Sequence, residues 1–159
     1  MPDSTNWINV PIESFFVVGI EGRTSNAREL SGEGVIGRFW SRLFQEQLLN
    51  QIPNRVNDEI VAVYSDYESD KDGEYTYLLG ARVHMPTKAP DGMGSRAIAS
   101  GSYGMFTAQG GPPADMVIGI WKEIWSLENS KKLKRAYETD FEVYGENAVN
   151  VYLGVKLES

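Results

Sequence analysis

Aromatic side chains dominate the chemistry this chain can offer. Trp40, Tyr64, Tyr67, Tyr103, Phe106, Trp121, Trp125 and Tyr144 are available as flat walls for an apolar ligand. Trp121 and Trp125 stand one helical turn apart and share a face. A ring beside a cation contributes about 0.5–1 kcal/mol when exposed and ~2 kcal/mol when desolvated. Two or three such contacts, added to apolar burial, are enough to hold a lipophilic cation, and Tyr and Trp tolerate a partly wet site. A helical Trp pair serves ordinary core packing equally well. A carboxylate in the same place is what would separate the two readings.

Other chemistries are excluded early. The 159 residues include no cysteine, which removes disulfides, thiolate nucleophiles and thiolate metal sites together. The single histidine, His84 beside Met85-Pro86, reads as a surface or satisfied residue, so no His cluster for a metal can form within one chain. Gly92-Met93-Gly94 and Gly110-Gly111 lack the lysine and the strand-to-helix setting of a phosphate loop and read as loops. No metal and no cofactor is implied. The net charge of −7 disfavours direct nucleic-acid binding and attracts cations, although solubility alone accounts for such a charge. Met1-Pro2-Asp3-Ser4-Thr5 carries acid rather than a basic leader, and no long apolar stretch follows. A cytoplasmic protein with neither signal peptide nor membrane span is expected.

The elements that must position these rings are expected to occur twice. Asp66-Tyr67-Glu68 matches Asp140-Phe141-Glu142, and Leu79-Gly80-Ala81-Arg82-Val83 matches Leu153-Gly154-Val155-Lys156-Leu157, both at an offset of 74. Asp72-Gly73 and Glu146-Asn147 fall opposite one another and suit hairpin turns with positive φ. Upstream, Val35-Ile36-Gly37 matches Val117-Ile118-Gly119, and Gly19 matches Gly101, at an offset of 82. Phe15 to Glu21 reads as a strand. Ile36, Phe39, Trp40, Leu43 and Gln47 recur at helical spacing, with Phe44 and Leu48 widening the face and Ser31 as the expected cap. Pro112-Pro113-Ala114-Asp115 opens a second helix bearing Val117, Ile120, Trp121, Ile124 and Trp125. His84 to Ser95, with Pro86, Pro90, Gly92 and Gly94, is a connector. The expectation is one α+β domain over residues 1–159. It contains two β-α-β-β units, at about 12–83 and 97–157, in an antiparallel sheet with both helices on one face and a central ligand cavity.

Tyr137-Glu138-Thr139-Asp140-Phe141-Glu142-Val143-Tyr144-Gly145, followed by Val149-Asn150-Val151-Tyr152-Leu153-Gly154-Val155-Lys156, resembles the C-terminal signature of the gyrase-inhibitor-like, or AraC-type, effector-binding domains. Gly101-Ser102-Tyr103-Gly104-Met105-Phe106 and the Trp-bearing helix fit the same family, over about Ile12 to Lys156. With no DNA-binding region attached, the chain is similar to stand-alone integron cassette proteins that bind cationic drugs.

The resemblance implies a ligand cavity between two such units, in which a glutamate and several rings hold amphipathic cations. Glu142 is the position matching that glutamate. Trp121, Tyr144, Trp125, Phe106, Tyr103, Tyr67 and Trp40 are the expected walls. Strand alternation puts Tyr137, Thr139, Phe141 and Val143 on one face and Asp140, Glu142 and Tyr144 on the other. A sheet covered only on its apolar face would therefore turn Glu142 to water, where the motif turns it into a pocket. Glu68, the matching position in the first half, reads as an exposed turn residue. The function implied is sensing or sequestering a small cationic molecule, alone or with a separate transcription regulator. Two alternatives stand beside it. One is a hydrolase of electrophilic small molecules, with Glu142 as general base and Tyr144 or Tyr103 as proton donor. The other is an inhibitor of another protein that acts through its surface.

Overall fold

The computed structural model describes residues 7–85 and 88–156. Met1-Pro2-Asp3-Ser4-Thr5, Pro86 of the connector and Leu157 of the second match lie outside the described residues.

Eight strands form one antiparallel sheet: β1 (Ile8–Ile12), β2 (Phe15–Ser25), β3 (Ile60–Ser65), β4 (Glu74–Val83), β5 (Gly94–Ile98), β6 (Gly101–Gln109), β7 (Thr139–Tyr144) and β8 (Ala148–Gly154). Their order across the sheet is β1-β6-β8-β7-β3-β4-β2-β5. Among the described residues three α-helices accompany the sheet: α1 (Asn26–Ser31), α2 (Ile36–Gln45) and α3 (Pro113–Asn129). The two β-α-β-β units are β2-α2-β3-β4 and β6-α3-β7-β8, joined side by side through β3 and β7. Two strands were not anticipated. β1 precedes the first unit but pairs with β6 of the second, while β5 precedes the second but pairs with β2 of the first.

Register shows which residues share a face. Ile20, Leu79, Ala62, Glu142, Val151 and Phe106 are successive cross-strand partners and form one row over six strands. α2 covers one end of this row through Phe39 and Leu43, and α3 covers the other through Ile120, Ile124 and Leu127. Both helices therefore lie on one face. The opposite face is also buried, because the sheet curls. Phe15 on β2 and Phe141 on β7 are three strand spacings apart, roughly 14 Å in a flat sheet, yet their ring centroids lie 5.2 Å apart. With both faces covered, every residue from Tyr75 to Ala81 in β4 is buried, Thr76 included. Among the described residues no helix is long and apolar enough to cross a membrane.

Several local expectations are corrected. Ser31 does not cap α2, since it ends α1. Glu29 does that work from α1, accepting the amide of Val35 at 2.8 Å and that of Ile36 at 3.4 Å. α2 stops before Gln47, whose backbone is left-handed. Leu48 is buried in the following 3-10 turn, whereas Phe44 is exposed. The two hairpins differ in length, with loops over residues 66–73 and 145–147, so the two matches at offset 74 do not hold together. Asp66 follows β3, while Asp140 lies inside β7. The helices align better at an offset of 81 than at 82, since buried Phe39 and Leu43 then correspond to buried Ile120 and Ile124, and Trp40 to Trp121. Neither Gly73 nor Asn147 takes positive φ. A Cβ at Gly73 would lie 2.4 Å from the Ser69 hydroxyl and 3.1 Å from its amide nitrogen, so space is tight there, and Ser69 must turn its hydroxyl away to admit a side chain.

Candidate functional site

Glu142 occupies the middle of the helix-facing row, at the seam between the two units. It is 1% exposed. Alternation places it opposite Phe141 as expected, but both faces of β7 are covered, so neither residue reaches water. Its carboxylate accepts three hydrogen bonds from three elements. Tyr64 on β3 donates its hydroxyl to Oε2 at 2.8 Å, Trp121 on α3 donates its indole N–H to the same oxygen at 2.7 Å, and Tyr144 on β7 donates to Oε1 at 2.7 Å.

The rings pack on one another around this carboxylate. Tyr64 lies 5.3 Å from Trp121, 5.2 Å from Tyr77 and 5.4 Å from Tyr75, centroid to centroid. Trp40 meets the Tyr144 ring edge-on at 4.7 Å and donates its indole N–H to the Tyr77 hydroxyl at 3.0 Å. α2 and α3 thus each lower a tryptophan toward the seam. Trp40, Tyr64, Trp121 and Tyr144 are half-buried and Tyr75 and Tyr77 fully so, which makes the first four the outer walls.

Burial sets the electrostatics. Desolvation raises the pKa of Glu142; the hydrogen bonds from Tyr144, Trp121 and Tyr64 pull it back, and nearby Asp140 pushes it up. The hydroxyls of Tyr64, Tyr77 and Tyr144 are raised by burial first and by Glu142 second, so they remain neutral donors at physiological pH.

Four of the eight expected site residues meet here: Glu142, Trp121, Tyr144 and Trp40. Trp125 stands beside Trp121, with ring centroids 6.3 Å apart. Tyr67 reaches a neighbouring centre instead, donating its hydroxyl to Asp140. Phe106 is in the same row but two strands away, beneath α3 and stacked on Trp7. Tyr103 corrects its expectation. It packs on the opposite face of the sheet against Phe141 and donates its hydroxyl to the Ala99 carbonyl, so it neither walls this site nor gives a proton in it. Glu68 is exposed, as expected.

Tyr77, Tyr75 and Arg135 were missed. Alternation along β4 could have flagged the two tyrosines, because Tyr75, Tyr77 and Leu79 point the same way. Arg135 carries no such signal, since it follows a lysine-rich segment that reads as solvated.

Comparison with known proteins agrees with this architecture. Residues 10–157 match the Cass2 family model, described as integron-associated effector binding protein. The chain is 32% identical over 146 residues to YobU of Bacillus subtilis (strain 168), whose name assigns it provisionally to the transcriptional regulators; the match covers 87% of this chain and 90% of that one. It is also similar to the crystal structure of integron cassette protein VCH_CASS2 from the mobile metagenome of Vibrio cholerae. The TM-score there is 0.80 at 28% identity, over 96% of this chain and 97% of that one. The fold of SAV2435, solved bound to tetraphenylphosphonium, superposes with a TM-score of 0.74 at 18% identity, over 96% and 94% of the two chains. The chain belongs to the integron-associated effector-binding protein family.

Proposed function

We propose that this protein binds an amphipathic, cationic small molecule between α2 and α3, with Glu142 as the counter-charge and Trp40, Tyr64, Trp121 and Tyr144 as walls. One observation carries the reading: Glu142 is a carboxylate shut from water whose three hydrogen-bond donors are all neutral. Burying a charge without an opposite charge is costly. A lipophilic cation relieves that cost, while a neutral or anionic molecule of the same shape does not. The tetraphenylphosphonium held by SAV2435, a protein of the same fold, is of this chemical type. A hollow of about 400 Å³ along α2 is lined by Gly37, Arg38, Phe39, Ser41 and Arg42, so it lacks the buried carboxylate that a lipophilic cation needs.

Ligand entry requires the outer rings to part, since they close over the carboxylate. Trp40 and Trp121 are the rings mounted on helices and can move with them. Sensing for a separate regulator and sequestration both follow from such binding, and the kinship with YobU supports the first.

The test titrates the protein with tetraphenylphosphonium and with tetraphenylborate, an anion of matching shape, following tryptophan fluorescence and heat. Saturable binding of the phosphonium with much weaker binding of the borate is expected. Equal affinity for both removes the counter-charge role. Turnover of small electrophiles that depends on Glu142 would establish the hydrolase in its place.

A further inference from the structure

Asp140 and Glu142 lie two residues apart on the same face of β7, roughly 7 Å from one another. Both are buried, at 0% and 1% exposure, but they are held differently. Glu142 meets neutral donors. Asp140 Oδ2 accepts from Arg135 Nη2 at 2.7 Å and from the Tyr67 hydroxyl, while Oδ1 accepts the Gly154 amide at 2.8 Å. Arg135 is itself buried. Its guanidinium carbon lies 4.3 Å from the Tyr137 ring centroid, 5.3 Å from that of Trp121 and 5.7 Å from that of Tyr67. On the other side, Arg135 Nη1 stands 3.6 Å from Oε1 of Glu128 near the C-terminal end of α3, and Tyr137 donates its hydroxyl to Glu128 Oε2. Burial is the largest influence and opposes the Arg135 charge, but Asp140, Tyr67 and Tyr137 together more than offset it, so the guanidinium stays protonated. A three-ring cage with two acids is thus already filled by the chain's own cation, and Trp121 is a wall both of this cage and of the Glu142 site.

We propose that Arg135 sets the valence of the ligand: by occupying Asp140 it leaves Glu142 as the carboxylate that answers an incoming charge, so the site selects monocations over dications. The proposal rests on the reading of Glu142 given above. Without Arg135, two adjacent buried carboxylates would face the seam, and two positive charges would be needed to answer them.

The experiment measures dissociation constants of tetraphenylphosphonium and of the dication p-xylylenebis(triphenylphosphonium) by calorimetry on the full chain. Following how their ratio changes between variants removes the constant contribution of ligand size. Arg135→Gln should shift the ratio toward the dication by about tenfold or more. Adding Asp140→Asn to Arg135→Gln should bring the ratio back to within about threefold of the unsubstituted chain. Glu138→Gln, an exposed acid one residue before β7, should leave the ratio unchanged. An unmoved ratio in Arg135→Gln, while Glu142→Gln still weakens the monocation, overturns the proposal and leaves the counter-charge reading standing. Monocation binding that never depended on Glu142 defeats that reading first, and the proposal with it. Should Arg135→Gln fail to fold, Asp140→Asn and the double variant decide, because removing a buried ion pair as a whole is often tolerated. The guanidinium released in Asp140→Asn should weaken the monocation by about fivefold or more, and the double variant should recover it. Equal monocation affinity in those two variants overturns the proposal.

Discussion

Trp121 directs its indole N–H at Glu142 Oε2 from 2.7 Å, tying the middle of α3 to the central strand β7. The same ring would form a wall for the ligand, so the residue has two separable contributions. Trp121→Phe keeps a ring and removes the donor; Trp121→Ala removes both. The phenyl variant should bind tetraphenylphosphonium about 0.5–1 kcal/mol more weakly, and the alanine variant about 1–2 kcal/mol more weakly. Calorimetric titration alongside a thermal melt checks this. Unchanged affinity in both variants would return Trp121 to core packing.

Glu142 should imprint a pH dependence on stability. Its folded pKa is raised, chiefly by desolvation, so the folded protein retains a proton that the unfolded chain gives up near about pH 4.3. The stability tied to this group is full below the unfolded value, is lost as pH rises through the folded value, and is level above it. Glu142→Gln removes that loss. Thermal melts should show the variant gaining on the unsubstituted chain as pH rises from about 4, with the smallest difference at the acid end. If Glu142 is the counter-charge proposed above, cation affinity should rise over the same window, because a cation favours the ionised carboxylate. A stability difference that ignores pH contradicts this account.

Asp140 is unsuited to serve as the neutral control that its shared strand face suggests. It is buried against Arg135 and caps the Gly154 amide. Asp140→Asn should destabilise by about 3–5 kcal/mol, the usual range for breaking a buried pair. Glu138, exposed one residue before β7, is the proper control, and Glu138→Gln should shift stability by less than about 0.5 kcal/mol. Urea midpoints distinguish the two. Comparable small effects would mean that the Arg135–Asp140 pair stabilises little.

Gly19 and Gly80 face each other across β2 and β4. A Cβ at Gly80 would stand 1.9 Å from the Val18 carbonyl oxygen, and one at Gly19 would stand 2.1 Å from that of Leu79. Backbone must shift to admit either, so Gly80→Ala should cost about 2 kcal/mol or more. A melting temperature equal to that of the unsubstituted chain would contradict the close approach of these strands.

Both long helices were legible because their apolar spacing is regular, Phe39 with Leu43 and Ile120 with Ile124, whereas the hairpin strands were legible through the repeated Leu-Gly segments at Gly80 and Gly154 and the turn residues before them. β1 and β5 were not. Each is short and half-exposed, and each is held by pairing with the other unit, which local pattern does not encode. The candidate position Glu142 was reached through a motif rather than through periodicity. Alternation correctly separated Glu142 from Phe141, but which face is wet depends on helix packing and sheet curl, both long-range. The same limit misplaced Tyr103, whose ring type suits a pocket but whose position in β6 points it to the far face. Arg135 was invisible because its burial depends on Asp140, Tyr67 and Tyr137 arriving from other segments.

The most direct test of the account compares tetraphenylphosphonium binding to the unsubstituted chain and to Glu142→Gln at neutral pH by calorimetry, with tetraphenylborate as the shape control. The substitution keeps volume and removes the charge. Phosphonium affinity should fall by about 1.5–3 kcal/mol, the range for hydrogen bonds to charged groups, while borate affinity should hold or rise. Phosphonium affinity that is unchanged by Glu142→Gln, or both ions weakened alike, would show that Glu142 organises the fold and does not meet the ligand's charge.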